Sequence, residues 1–188
     1  MSKCEFYNVF RDMDSGGLAE DPEINYDGFF DRYFQFKGKL IPDWQAMHCS
    51  IREGSIVGGD AFEDYQAIIH GCRLCSQRMK DLCESNKSPE DKIQWLDVTL
   101  TWNGETRPYY VLHFYEDTDV LDPVLSKWNP KTKMYDALPE VYDREKIGNH
   151  NIFSYPRNFL GLTVRAFIVK EMKKQKMTGM TWEPAIVR

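Results

Sequence analysis

The sequence predicts an α+β fold, an antiparallel sheet with two main amphipathic helices packed on it, and three stretches carry that expectation. Ile93 to Trp102 (IQWLDVTLTW) alternates, with Gln94, Leu96, Val98, Leu100 and Trp102 on one face and Trp95, Asp97, Thr99 and Thr101 on the other. Asn103-Gly104 follows, the dipeptide most suited to a type I′ hairpin turn, and Tyr109 to Tyr115 reads as the return strand. Apolar residues at steps of three and four predict helices over Cys72 to Glu84 and Leu162 to Lys176.

The other elements follow in chain order. Cys4 to Phe10 has the aromatic and β-branched content of a short strand, and Asp14-Ser15-Gly16-Gly17 is turn chemistry. Phe29 to Gly38, with Phe30, Tyr33, Phe34 and Phe36, fits neither period. Ile41-Pro42-Asp43-Trp44 reads as extended chain leading into a loop. Helical spacing starts at Ala61, breaks at Gly71, and stops at Ser85-Asn86-Lys87-Ser88-Pro89. Asp122-Pro123 and Asn129-Pro130 frame a loop, Lys131 to Asp143 offers a second short hairpin, and Ile152-Phe153 a short strand. Met177-Thr178-Gly179 closes the last helix, with the glycine as its left-handed cap. Thr181 to Val187 is a final strand that Pro184 places near an edge. A helix followed by an apolar strand occurs twice, 72–84 with 93–102 and 162–176 with 181–187, which suggests a pseudo-repeat.

Composition narrows the function classes. The 188 residues, 42% hydrophobic and 14% aromatic, suffice for one core and one domain over 1–188. Twenty-four basic and 29 acidic residues give a formal charge of −5, which does not suit a protein that wraps nucleic acid. No stretch reaches the roughly 18 apolar residues of a membrane span. Residues 1–11 lack the apolar run of a secretion signal, and five cysteines is an odd count, so the expectation is reduced thiols in a cytoplasmic protein.

Each chemically suggestive cluster has a competing structural reading. His70, Cys72, Cys75 and Cys83 allow a metal- or thiol-dependent enzyme, since Cys-x-x-Cys binds zinc or runs disulfide exchange. On one helix, however, Cys72, Cys75, Met79 and Cys83 form an apolar stripe, and cysteine packs as a small hydrophobe. His48-Cys49 are adjacent and so face apart, and His113 sits inside a strand. Glu53 to Asp60 is glycine-rich but lacks the lysine and hydroxyl of a phosphate loop. Lys170, Lys173, Lys174 and Lys176 complement a helix dipole. The expectation is no catalytic residue, no metal and no cofactor.

Three stretches, taken together, carry a resemblance to a known family. The first runs from Tyr109-Tyr110-Val111-Leu112-His113-Phe114 through Asp119-Val120-Leu121-Asp122 to Ser126-Lys127-Trp128. The second is Ile152-Phe153. The third joins Ile168-Val169-Lys170-Glu171-Met172-Lys173 to Met177-Thr178-Gly179-Met180-Thr181-Trp182-Glu183-Pro184. A weaker likeness covers Ile68 to Leu82. With these stretches the chain resembles the family numbered eleven among the immunity proteins of bacterial polymorphic-toxin systems, formerly catalogued as a domain of unknown function; the family-like part is 61–188, while residues 1–60 carry no assignment. The resemblance implies neutralisation of a cognate toxin by direct binding, without catalysis; a regulatory adaptor for another protein is the alternative binding role.

Two acidic groups, Glu116, Asp117, Asp119 and Asp122, then Asp136, Glu140, Asp143 and Glu145, lie near aromatic residues. The first lacks the glycine and terminal glutamate of a calcium loop. The expected partner-binding residues are Tyr115, Glu116, Asp117, Asp119, Asp122, Trp128 and Tyr135, with carboxylates steering a basic partner and aromatics anchoring it. Oligomeric state and the identity of the toxin are not encoded.

Overall fold

The computed structural model describes residues 4–20, 38–56, 58–68, 72–116, 118–129, 131, 134–135, 140–154 and 161–188. The expectations for Phe29 to Tyr33, Phe34 and Phe36, for His70 and Gly71, and for Asp117 and Asp136 lie outside them. The architecture is mostly β, which corrects the α+β expectation.

In the N-terminal half the strands are β1 (Phe6–Arg11), β2 (Leu18–Glu20), β3 (Met47–Ile51), β4 (Tyr65–Ile68) and β5 (Arg73–Ser76), then β6 (Ile93–Trp102) and β7 (Glu105–Phe114). The rest are β8 (Trp128–Asn129), β9 (Met134–Tyr135), β10 (Val141–Tyr142), β11 (Ile152–Phe153), β12 (Leu162–Arg165), β13 (Met180–Pro184) and β14 (Ile186–Val187). The helices are short: α1 (Gln77–Asn86), α2 (Arg144–Ile147) and α3 (Ala166–Lys174).

Six strands close a barrel in the order β2-β3-β6-β7-β5-β4, and β11-β12-β1-β13 form a separate antiparallel sheet. The long hairpin is the barrel's backbone. Its turn places Asn103 at φ +47 and Gly104 at φ +81, as a type I′ turn requires, and pairing runs from Trp102↔Glu105 to Ile93↔Phe114. The return strand thus begins four residues earlier than its aromatic content suggested.

Both expected helices begin as strands. Residues 73–76 and 162–165 are wedged between packed layers and buried on both faces. A strand of that kind reads as a continuous apolar run, which spacing alone does not separate from a helix. Leu74 faces the barrel interior while Cys75 faces the helices; the helix starts only where Ser76 accepts a hydrogen bond from the Met79 N–H at 3.2 Å. Arg165 supplies no side-chain cap for α3, but the carbonyl of Glu5 accepts the Ala166 N–H at 2.8 Å. The chain leaves α3 through Gln175 and then Lys176 at φ +51, so the left-handed exit is Lys176 rather than the glycine.

In each half the strands around the helix flank a third strand antiparallel to both: β5 and β6 flank β7, and β12 and β13 flank β1. The expected helix–strand repeat nonetheless does not organise the molecule, because one unit is a section of a closed barrel and the other is an open sheet.

Three apolar clusters stack in sequence. Ala19, Met47, Cys49, Leu74, Leu96, Val98, Leu100 and Val111 fill the barrel. Cys75, Met79, Cys83, Leu112, Leu162, Val164, Ile168 and Met172 bind the helices between barrel and sheet. On the sheet's far face Phe6, Val120, Leu121, Tyr142, Ile147 and Phe153 form a third cluster, with Phe153 edge-on to Phe6 at 5.7 Å and to Tyr142 at 5.8 Å. Among the described residues, no helix is long and apolar enough to cross a membrane.

Candidate partner-binding surface

The third cluster fixes the stretch that follows β7. Val120 and Leu121 are fully buried, and Leu121 bridges to Tyr142, which anchors the chain here to the third cluster. Tyr115 is half-buried, its N–H bonded to the Lys92 carbonyl at 3.1 Å, and Glu116 is exposed. Asp119 is exposed and pairs with Lys146 Nζ at 3.0 Å, the same ammonium that donates to the Leu121 carbonyl.

A tight loop comes next. Asp122 Oδ1 accepts the N–H groups of Val124 and Leu125, each at 2.8 Å. The buried Ser126 hydroxyl both donates to the Val141 carbonyl and accepts its N–H, each at 3.0 Å. Lys127 takes φ +51, uncommon for a residue with a side chain. The result is a braced tip on which Val124 is 79% exposed and Leu125 49%. Trp128 and Tyr135 then stand opposite each other in the β8–β9 pair.

Thus Tyr115, Glu116, Asp119, Asp122, Trp128 and Tyr135 all fall within one stretch of sequence, with the half-buried Asp122 committed to bracing its own loop. Asp117 lies outside the described residues. What sequence reasoning missed is the pair of exposed aliphatics beside them; Asp122-Pro123, an Asx turn signal ahead of two apolar residues, was the available cue.

Beside Glu116 and Asp119 lies an open cavity of about 440 Å³, lined also by Lys92, Lys146 and His150. His150 Nδ1 sits 2.9 Å from Asp91 Oδ1. The Asp91 carboxylate is fully buried and also accepts the N–H groups of Ser88 at 2.7 Å and Ile152 at 3.1 Å, so it ties the loop after α1 to β11. A His–Asp pair resembles part of a catalytic triad, but the lining hydroxyl is Thr118 alone, with no activating contact to His150 among the described bonds.

A second cleft, about 340 Å³, lies where the barrel rim meets the loop before β13. Its polar groups are engaged with one another. Arg78 binds Asp64 at 3.2 Å, Ser76 Oγ donates to Asp64 at 2.6 Å, Arg107 lies 4.2 Å over the Phe62 ring, and Tyr109 donates to the Glu63 carbonyl at 2.7 Å.

The cysteine cluster is dispersed. Cys72 belongs to the barrel interior, whereas Cys75 and Cys83 belong to the layer between barrel and sheet. All five thiols are free. Burial pushes Cys83 up to about 12 and lifts Cys72 and Cys75 far above the ordinary thiol range, so the nucleophilic thiolate is suppressed at neutral pH. Among the described residues no three His, Cys, Asp or Glu side chains are placed to hold a metal ion. His113 is buried with Nε2 2.7 Å from the Lys39 carbonyl, and Asp143 caps α2 by accepting the Glu145 N–H at 2.9 Å. On α3, Lys173 lies 5.1 Å over Trp182 and Lys174 pairs with Glu171 at 3.3 Å.

An immunity protein family model, Imm11, matches residues 9–187. The chain belongs to the Imm11 immunity protein family. The match extends the likeness seen in 61–188 back through β1 and the whole barrel, so the unassigned first sixty residues are part of the family unit from Val9 onward. A search of curated proteins finds no match. Membership of Imm11 points to a toxin-neutralising, non-catalytic role.

Proposed function

We propose that this Imm11 chain neutralises a cognate toxin by direct protein–protein contact and performs no chemistry of its own. The observation that carries the reading is the family match over residues 9–187. Its support in the chemistry of the fold is that the conspicuous nucleophiles and acids are consumed in packing, capping and pairing.

The contact surface in this reading comprises Tyr115, Glu116, Asp117, Asp119, Trp128 and Tyr135, with Asp122 bracing the loop between them. Exposed carboxylates raise the encounter rate with a basic partner, while aromatics and aliphatics provide the desolvated centre of the contact. Co-expression with the toxin encoded by the adjacent gene tests it. Growth is restored by the intact chain and the two proteins purify one to one; continued toxicity with a soluble, folded chain would refute the reading.

A further inference from the structure

We propose that the Glu63 side chain is a pH-operated latch on the junction between barrel and sheet: protonated, it lies closed among three loops, and losing its proton loosens those loops while the barrel strands stay paired. The inference is independent of the toxin-binding reading.

Glu63 is 3% exposed, and its carboxyl lies against loops from three parts of the chain. A Cβ on Gly16 would collide with Oε2, one on Gly179 would sit 2.8 Å from the same oxygen, and one on Gly59 would touch Oε1 at 3.5 Å. Three backbone hydrogen bonds close these loops. The Gly16 N–H donates to the Gly58 carbonyl at 3.3 Å, the Asp12 N–H to the Gly179 carbonyl at 3.0 Å, and the Tyr65 N–H to the Thr178 carbonyl at 3.2 Å. A change of charge on this one carboxyl is therefore felt on both sides of the junction.

The surroundings decide which form the closed loops hold. Arg11 and Asp12 act on the carboxyl from the end of β1 and Asp60 from the loop before β4, so two carboxylates oppose one guanidinium. Ser15, in the turn after β1, favours ionisation, and burial outweighs it. From β7, Tyr109 donates to the Glu63 carbonyl at 2.7 Å, and the neighbouring Asp64 is bound to Arg78 at 3.2 Å. An ionised carboxylate this dry, with more negative than positive neighbours, is costly, and admitting water relieves the cost. The loops are the part that yields, because β6 and β7 pair along their full length. Opening is unchanged below pH 4.5, becomes easier as pH rises from there to the carboxyl's own midpoint in the folded chain, and levels off above it.

Hydrogen exchange on the full chain tests the latch, read by NMR over about pH 4 to 8 and corrected for intrinsic base catalysis, with the Glu63 carboxyl carbon titrated in the same sample. The opening equilibrium at Asp12, Gly16 and Tyr65 is expected to rise about tenfold per pH unit between 4.5 and the carboxyl midpoint. Leu96 and Val111, paired in the hairpin, keep their protection. Glu63→Gln is expected to hold the loop amides at their acid-side protection throughout. The latch is overturned if the variant keeps the native pH dependence, or if the carboxyl midpoint falls at or below 4.5. Equal loss of protection in loop and barrel amides also overturns it, since that is a loss of global stability. Should Glu63→Gln fail to fold, the native sample decides: a carboxyl midpoint at the end of the rise at Gly16 supports the latch, and a mismatch refutes it.

Discussion

The carboxylate of Glu63 stands against Gly179: a Cβ on that glycine would lie 2.8 Å from Glu63 Oε2, and nearer still to the Tyr65 carbonyl. Gly179 is at φ +82 and precedes β13, while Glu63 precedes β4, so the contact seams the barrel to the open sheet. Gly179→Ala meets both a left-handed backbone and a backbone clash that no rotamer relieves. The expected loss is about 2–4 kcal/mol of unfolding free energy, read by urea denaturation. A change within 0.5 kcal/mol would mean the seam tolerates a side chain.

Glu63 itself is 3% exposed, and burial raises its pKa above the ordinary carboxylate range of 4.5; Asp12 and Asp60 push the same way, against Ser15 and Arg11. The folded protein therefore holds this proton where the unfolded chain has released it. Stability associated with Glu63 is complete below pH 4.5 and is lost as pH rises through the higher folded value. Glu63→Gln removes that loss. The variant is expected to gain on the order of 1 kcal/mol over the native chain at pH 8 and nothing near pH 4. Paired denaturation curves at the two pH values decide it, and equal differences at both would disprove the assignment.

How much of this was legible beforehand depends on whether the signal was local. The 93–114 hairpin was, because strand alternation and an Asn-Gly turn are properties of neighbouring residues. So was Ile152-Phe153, whose two side chains face different clusters. The strands at 73–76 and 162–165 were hidden by being buried on both sides, and the barrel could not be read at all. Its closure depends on β3 pairing in parallel with β6 and β2 with β4, contacts between segments some 50 residues apart that leave no periodic trace. At the candidate surface, the acidic residues were visible from composition, but not that Asp122 is spent on bracing the tip. Exposure of Val124 and Leu125 follows from that brace and from the burial of Val120 and Leu121.

The thiols give a direct check on the non-catalytic reading. Cys49, Cys72, Cys75 and Cys83 are buried, and only Cys4 is partly open. Iodoacetamide on the native protein at pH 7.5 is expected to label Cys4 alone within the time that labels all five in guanidinium, as counted by mass spectrometry. Rapid native labelling of Cys75 or Cys83 would revive the thiol-enzyme alternative. Cys75→Ser, which buries a hydroxyl in an apolar layer, should lower stability by about 1–3 kcal/mol without changing toxin affinity.

Asp91 offers the sharpest separation of structure from function near the surface. Its buried carboxylate accepts the N–H groups of Ser88, Asn151 and Ile152 and holds His150 Nδ1. Asp91→Asn keeps the size but turns an NH₂ toward at least one of those donors, leaving a buried N–H unpaired. A loss of about 2–4 kcal/mol is expected. His150→Gln removes only one partner at the cavity wall and should cost about 1 kcal/mol or less. If instead His150→Gln leaves stability intact yet abolishes an activity of the isolated protein, the His150–Asp91 pair is a working dyad and the chain is an enzyme.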